Sequence, residues 1–377
     1  MTRILHLITT LQAGGAQTML ANLVAGASSE GSVQHHVVEM VSGGECSERI
    51  RRHAVSVHTL GMVRGRASAS AVWRFVQLLR RERPSIIQTW LYHADLLGVL
   101  AIPAVRVPVV WNIRSAWHQG IDGFVPRMCA RLSGFPAAVV VNSYAGQLIH
   151  SKLGYRPRRW CLIPNGFDLN VFKPDEQAHE ALRAELGVVP GTLLIGMIGR
   201  WDPHKDHSMF LAAAAMLSRQ IPALHFVLAG DGLTRDNRAL CKLIDELQLS
   251  GCVHLLGKRT DVPRITAGLD VASCISIGEA FPNVVGEAMS AGVPCVATDV
   301  GDTAVLMNDA DMIVPPGDPD ALASAWGRIL ALSPPARRAK GMEGRIRIAS
   351  RYSLAAVVQQ YERLYGELLT DSRPLPH

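Results

Sequence analysis

The chain has no stretch of 18 apolar residues, the length at which a membrane-spanning helix becomes a candidate. Its longest apolar run, residues 96–105, stops at Arg106. It has no C-x-x-C pair, and its seven cysteines are an odd number. That is the usage expected of reduced, mostly buried thiols in a cytosolic protein. The start, "MTRILHLITT", lacks a basic segment followed by a long apolar core, so it reads as a first strand and not as a signal peptide. Only 19% of residues are charged, and no long polar tract occurs, which argues against disorder outside the ends.

What is present suits two globular domains. The 377 residues are 48% hydrophobic, enough for two cores at about 100–200 residues per domain. Charge is uneven. Residues 1–170 hold 18 lysines and arginines against 8 acids, and residues 171–377 hold 20 against 24. The basic half is suited to an anionic acceptor or an anionic membrane. Nucleic acid is not an expected partner.

Short β-branched runs alternate with helical patterns. Strands are predicted at residues 4–8, 36–40, 55–60, 86–89, 109–113 and 137–142, then at 193–198, 225–229, 253–256, 271–275 and 295–298. Helices are predicted between them, as at 208–219 and 235–247. This alternation indicates an α/β fold with parallel sheets covered on both faces. "IPNGFDLNVFKP", residues 163–174, carries two prolines, a glycine and two asparagines and reads as a linker. Ligands in such sheets bind at the carboxyl ends of the strands, so a cleft between the halves is the expected site.

"GEAFPNVVGEAMSAGVP", residues 278–294, holds two glutamates eight apart, Glu279 and Glu287. Pro282 suits a first helical turn, Asn283 can cap it, and Gly292 and Pro294 end the helix. Glu279 then lies in a loop ahead of a helix N-terminus, where a phosphate is favoured, and Glu287 about one turn inside. Two carboxylates so placed suit the hydroxyls of a sugar nucleotide, Glu279 on the sugar and Glu287 on the ribose. One capping and one surface glutamate would leave the same pattern. In "LLIGMIGRWDPHKDHSMFL", Arg200 and Lys205 follow a strand and could offset a leaving diphosphate without metal. A solvated basic loop is the plain alternative. Asp202, His204, Asp206 and His207 have the composition of a metal cluster, but Lys205 among them argues against one. The triplet in "NDAD", residues 308–311, reads as an exposed turn. No P-loop and no complete G-x-G-x-x-G after a strand is found.

"GRWDPHKDH", "LAGDG", "LLGKRTDVP" and "GEAFPNVVGEAMSAGVPCVATDVGD" resemble the retaining glycosyltransferases of family four, also called group one, including their E-x7-E motif. "GGAQTML", "WLYHADLLG" and "IPNGFDLNVF" are similar to the family's first-half landmarks. The resemblance implies the GT-B fold: two Rossmann-like doubly wound domains, residues 1–168 on the acceptor side and 169–355 on the donor side. A crossover helix and tail over 356–377 return to the first. It implies a metal-independent retaining transferase that uses a nucleotide sugar, expected to be a UDP-sugar, and no cofactor. The acceptor is a saccharide or lipid-linked saccharide of bacterial surface-glycan synthesis, reached from the cytoplasmic side. Residue by residue, Glu279 contacts donor-sugar hydroxyls, with the amides of Phe281, Pro282, Asn283 and Val284 around it. Glu287 binds ribose, and Arg200 and Lys205 hold the diphosphate. Lys258, Arg259 and Val262 flank the base. Gly14 and Gly15 permit close approach of the donor phosphates and acceptor, and His93 lies beside the reacting sugar. The family often has Glu-Gly-Phe where this chain has Ala280. A sugar-nucleotide 2-epimerase or a non-catalytic sugar-nucleotide-binding partner would share the architecture, but the first lacks its motifs and the second would not need Arg200, Lys205 and Glu279. Residues 72–84 carry apolar positions 72, 75, 76 and 79, with Trp73 and Leu78 widening the face. Arg74, Arg80, Arg81 and Arg83 lie among them. This is the pattern of an interfacial helix on anionic lipid, or of a core-facing helix with a basic outer side.

Overall fold

The computed structural model describes residues 2–12, 14–27, 33–64, 66, 68–115 and 123–371. The tail expected at 372–377 lies outside them. The chain divides into two compact units, Met1–Gly166 with Leu354–His377, and Phe167–Ser353.

The first unit is built on seven strands: β1 (Thr2–Ile8), β2 (Val33–Glu39), β3 (Ser56–Thr59), β4 (Ile86–Trp90), β5 (Val109–Ile113), β6 (Ala138–Val141) and β7 (Trp160–Leu162). They lie in the order β3-β2-β1-β4-β5-β6-β7, every pairing parallel. The second unit holds β8 (Leu193–Ile198), β9 (Leu224–Ala229), β10 (Val253–Gly257), β11 (Val271–Cys274), β12 (Cys295–Thr298) and β13 (Ile313–Val314). Their order is β10-β9-β8-β11-β12-β13, again all parallel. Helices cover both faces, so the inner strands are apolar on both sides. Every residue of β4, β5, β6, β11 and β12 is buried. Each sheet turns back on itself once, between β1 and β4 and between β8 and β11. These are the switch points where open α/β sheets leave room for ligands.

The expected strands occur, with ends shifted by up to three residues. Two were not foreseen, β7 and β13. Both are short edge strands, and β7 sits directly behind Arg158 and Arg159, which masks its apolar character. The helix Ala69–Glu82 corrects the reading of residues 72–84. Its buried side is Ala71, Phe75, Leu78 and Leu79, while Val72 and Trp73 are exposed, Trp73 to 64%. The apolar stripe is therefore rotated away from Val72, and Trp73 stands among the arginines. The cysteines are all free, with Cys129, Cys274 and Cys295 buried and the other four half-buried.

The last helix, Leu354–Asp371, belongs to the first unit and packs on the helix Gly15–Ala27. Val357, Val358, Tyr361, Leu364, Tyr365 and Leu368 form its buried stripe. At about 1.5–3 kcal/mol per large apolar side chain, these contribute on the order of 10 kcal/mol as an upper bound. Polar contacts fix its register: Tyr365 bonds Gln88 on β4, and Asn112 on β5 donates to the Tyr361 hydroxyl at 3.0 Å. The buried guanidinium of Arg114 bonds Tyr361, the Asn112 side-chain oxygen at 2.8 Å and Asn165 at 2.6 Å. Among the described residues, no helix is long and apolar enough to cross a membrane.

Candidate active site

The carboxyl ends of β8 and β11 flank the switch point of the second sheet. After β8 the chain turns through Gly199–Asp206. Asp202 caps the single turn Pro203–Lys205 by accepting from the amide of His204. Asp206, at φ 45°, then caps the helix His207–Ser218 by accepting from the amide of Met209. Arg200 is exposed, and its Nε donates to Asp202 at 2.8 Å. Burial alone would raise the Asp202 carboxyl. The bonds from the amide and ring of His204 and from Arg200 outweigh that and hold it well below the usual range. His207 is buried with its ring 5.0 Å from that of Trp201. The four residues with a metal-like composition are thus occupied in capping, pairing and packing, and no group of three or more possible metal ligands occurs among the described residues.

Lys205 points across the switch point. Its ammonium lies 2.5 Å from Oε1 of Glu279, in the loop after β11. Burial works against its charge, but the Glu279 carboxylate outweighs that and raises the ammonium above its ordinary value. Ser276 Oγ donates to the same oxygen at 2.7 Å. A backbone bond from Ile277 to the carbonyl of His204 ties the two loops together at 2.9 Å.

The loop is also held from below. The Phe281 ring is buried between Phe167 and Tyr352, with centroids 6.2 and 5.9 Å away. Its amide side alone can therefore serve a ligand. Phe167 in turn presses on Gly286, where a Cβ would lie 2.0 Å from the ring. Gly301, at φ 58°, passes so close beneath Glu279 that a Cβ would sit 2.3 Å from its carbonyl oxygen. The neighbouring Asp302 amide donates to the carbonyl of buried Ala280 at 3.1 Å. A side chain at 301 would lift the whole loop.

The following helix runs Asn283–Ser290, with Pro282 in the N-cap position and no side-chain cap bond. Asn283 is thus the first helical residue and not its cap, because the proline already gives the extended backbone at which the helix starts. Val284 and Glu287 lie on its inner side, against Gly196, Thr266, Leu269 and Ser273 in a narrow crevice. Burial pushes the Glu287 carboxyl up to about 7. Lys258 follows β10 on the same edge of the sheet, and Val262 opens the next helix, Val262–Ala267. Arg259 does not stand free. Its guanidinium donates to both oxygens of Asp261 at 2.8 Å and to Glu185 at 2.6 Å, and Arg264 joins the same acids. The loop beside it is braced by this network.

In the first unit, Gly14 and Gly15 follow β1 at the start of the helix Gly15–Ala27, and both are exposed. His93 is exposed in the first turn of the helix Tyr92–Val105, which follows β4. All three stand at the switch point of the first sheet. Leu91, before that helix, has φ 75°, a strained value for a residue with a Cβ. Two buried pairs hold the corner. The Tyr92 hydroxyl lies 2.7 Å from His150 Nε2, and Thr89 donates to Asp95. Burial pushes the Asp95 carboxyl well above the usual range, against the bond it accepts from Thr89.

Residues 13–171 match the family Glycosyltransferase Family 4, and residues 192–331 match Glycosyl transferases group 1. The chain belongs to the family-four glycosyltransferases. The Escherichia coli UDP-Gal:alpha-D-GlcNAc-diphosphoundecaprenol alpha-1,3-galactosyltransferase is 25% identical over 270 residues, 67% of this chain and 68% of that one. The D-inositol 3-phosphate glycosyltransferase of Mycolicibacterium gilvum is 31% identical over 246 residues, 62% of this chain and 52% of that one. Among solved structures, Anabaena Alr3699/HepE in complex with UDP and glucose superimposes with a TM-score of 0.84 at 23% identity, over 97% of this chain and 100% of that one. The fold of this family-four transferase is GT-B.

Three residues of the transferase carry structure around these sites without having been foreseen. Ser276 is a hydroxyl just past the end of β11, and its spacing of three from Glu279 is the signal that could have found it. Asp202 was weighed only as a metal ligand. Arg114 left no signal, since two of its three side-chain partners, Asn165 and Tyr361, are far away in sequence.

Proposed function

We propose that this transferase moves a sugar from a UDP-sugar to a saccharide or lipid-linked acceptor, with retention of configuration and without a metal ion. The observation that carries the reading is the meeting of Lys205 and Glu279 from the two strands beside the switch point. A cation and a carboxylate at the mouth of a helix N-terminus suit the two ends of one reaction. Arg200, Lys205 and the first amides of Asn283–Ser290 offset the charge of the departing diphosphate. Glu279 takes hydroxyls of the donor sugar, and Glu287 takes the ribose. The Glu279 carboxylate is committed through Oε1 to Lys205 and Ser276, which suits an acceptor of hydrogen bonds better than an attacking nucleophile. The acceptor hydroxyl then attacks the anomeric carbon on the face that the diphosphate leaves; the bond to the phosphate oxygen breaks as the glycosidic bond forms, and the hydroxyl proton passes to that departing oxygen. Gly14, Gly15 and His93 serve the acceptor and the reacting sugar. The E. coli relative, named for UDP-Gal and a diphosphoundecaprenol acceptor, and the UDP complex of HepE support this choice of substrates. Trp73, exposed beside Arg74, Arg80, Arg81 and Arg83, supports peripheral contact with anionic lipid, and with it a place in surface-glycan synthesis.

The test is slow hydrolysis of UDP-, GDP-, ADP- and dTDP-sugars in excess EDTA. Release of UDP from one UDP-sugar, undiminished by the chelator, is the expected result. Activity confined to another base, or activity that vanishes with EDTA and returns with manganese, would sink the reading.

A further inference from the structure

We infer that Ser276 is a positioning residue that fixes the Glu279 carboxylate for the donor sugar once Lys205 has turned to the diphosphate. The inference rests on the donor-site reading above. Ser276 is fully buried. Its own carbonyl accepts from the Thr298 hydroxyl at the end of β12, at 2.6 Å, so its backbone is held by the neighbouring strand. Its hydroxyl donates to Glu279 Oε1 at 2.7 Å, and the Lys205 ammonium reaches that same oxygen. No described residue donates to Oε2. One oxygen of the carboxylate is therefore anchored twice, and the other is open to a hydroxyl from outside.

The two anchors are not equivalent. Lys205 is a cation on a flexible stem, and a bound diphosphate competes for it with more charge than one carboxylate offers. Ser276 carries no charge for a diphosphate to draw away, and its alternative partner, the Cys274 sulfur at 3.8 Å, is a weak acceptor. The serine is buried, neutral and within 3.4 Å of the Lys205 ammonium, so it stays on Oε1 when the lysine moves. Without it, the Glu279 side chain loses its last fixed bond at the moment the sugar needs it, and the open oxygen no longer points one way. A purely structural part for Ser276 is the competing account, since buried hydroxyls need partners in any case. The two accounts differ in what they act through. A structural serine affects folding and works regardless of residue 279. A positioning serine affects turnover and works only while Glu279 is present.

The experiment uses the full chain and four forms: wild type, Ser276→Ala, Glu279→Ala and the double variant. UDP release from UDP-glucose, UDP-galactose and UDP-N-acetylglucosamine gives kcat and KM, calorimetry gives UDP affinity, and thermal unfolding monitors the fold. Loss of a bond to a charged group predicts a kcat about ten- to a hundredfold lower in Ser276→Ala. UDP affinity and KM should stay within about twofold. In the Glu279→Ala background the serine change should cost nothing further. Ser276→Cys, of similar size and a weaker donor, should show the same split, which separates a packing defect from a lost bond. An equal loss with and without Glu279, a fall in UDP affinity that matches the fall in kcat, or an unchanged kcat would each overturn the inference. Wild-type turnover in Glu279→Ala would remove the donor-site reading and this inference with it. A slow Glu279→Ala beside a fast Ser276→Ala would remove the inference alone.

Discussion

Glu287 offers a test in which protons report on a ligand. Burial holds its carboxyl at about 7, against 4.5 for an ordinary one, so below neutral pH it is protonated in the free protein. Ribose hydroxyls donate to the ionised form, and the nucleotide should therefore bind better as pH rises. Each pH unit below 7 should cost up to about tenfold in affinity through this group. UDP itself titrates near pH 6, which would blur the trend. The ratio of wild-type to Glu287→Gln affinity removes that, because the phosphate is common to both. The ratio should rise about fiftyfold between pH 5 and pH 7 and level near pH 8, about a hundredfold above its value at pH 5. Near pH 6, wild type should release about one more proton per UDP bound than the variant, as measured by calorimetry in two buffers. Stability gives a second arm with a definite sign. The folded state binds this proton more tightly than the unfolded one, so the group lowers stability as pH rises from 4.5 through 7. Glu287→Gln should equal wild type near pH 4.5 and exceed it at pH 8. The gain is at most about 3 kcal/mol by 1.36 kcal/mol per pH unit, and less to the extent that water reaches this half-buried side chain. An affinity ratio flat from pH 5 to pH 8 would refute both the ribose contact and the neutral carboxyl.

Further expectations concern the frame. Gly286→Ala places a Cβ against Phe167 and should cost about 1–3 kcal/mol and weaken UDP binding; an unshifted melting curve would show that Phe167 does not press there. His6 and His35, bonded to each other at 2.7 Å beneath Trp90, are buried, and burial lowers the His35 ring to about 4 from 6.5. The unfolded chain takes up that proton first, so this stability is whole above pH 6.5 and is lost toward pH 4. Acid should then loosen the first unit while Glu287 favours the second, as hydrogen exchange followed by segment would show, and equal protection changes in both would count against it. The arginine-rich helix should bind anionic vesicles, not neutral ones, and release them as salt rises. Arg80, Arg81 and Arg83 changed to glutamine should weaken this without touching UDP affinity, and indifference to anionic vesicles at low salt would end the membrane reading.

Much of the architecture was legible because a two-sided parallel sheet leaves a plain record. Strands such as 109–113 and 295–298 are buried along their whole length and almost wholly apolar, each with a single polar residue near its end, Asn112 and Thr298. Lys205 and Glu279 stood out for the same reason, as charges at the ends of apolar strands. Their meeting was not legible, because it depends on β8 and β11 being neighbours, and spacing along the chain does not encode that. The same holds for Arg259, whose partner Glu185 lies one helix away in space and 74 residues away in sequence. The crevice that makes Glu287 a weak acid is lined by four separate elements and leaves no local mark. β13 fell below the length at which alternation or composition can be read.

The return of the last helix to the first unit has a consequence in time. Residues 2–166 are made first, yet the stripe from Val357 to Leu368 that covers one face of their sheet is made last. All of Phe167–Ser353 is synthesised in between, which at about 5–20 residues per second takes roughly 10–40 s. Through that interval the older unit waits with the seat of Tyr361 and Tyr365 open, while the younger one has everything it needs. Until the helix docks, its gross apolar burial, on the order of 10 kcal/mol before the cost of ordering the helix is set against it, is missing from the first unit. A nascent chain stalled before residue 354 should therefore be degraded from its beginning, leaving the nucleotide half as the resistant fragment.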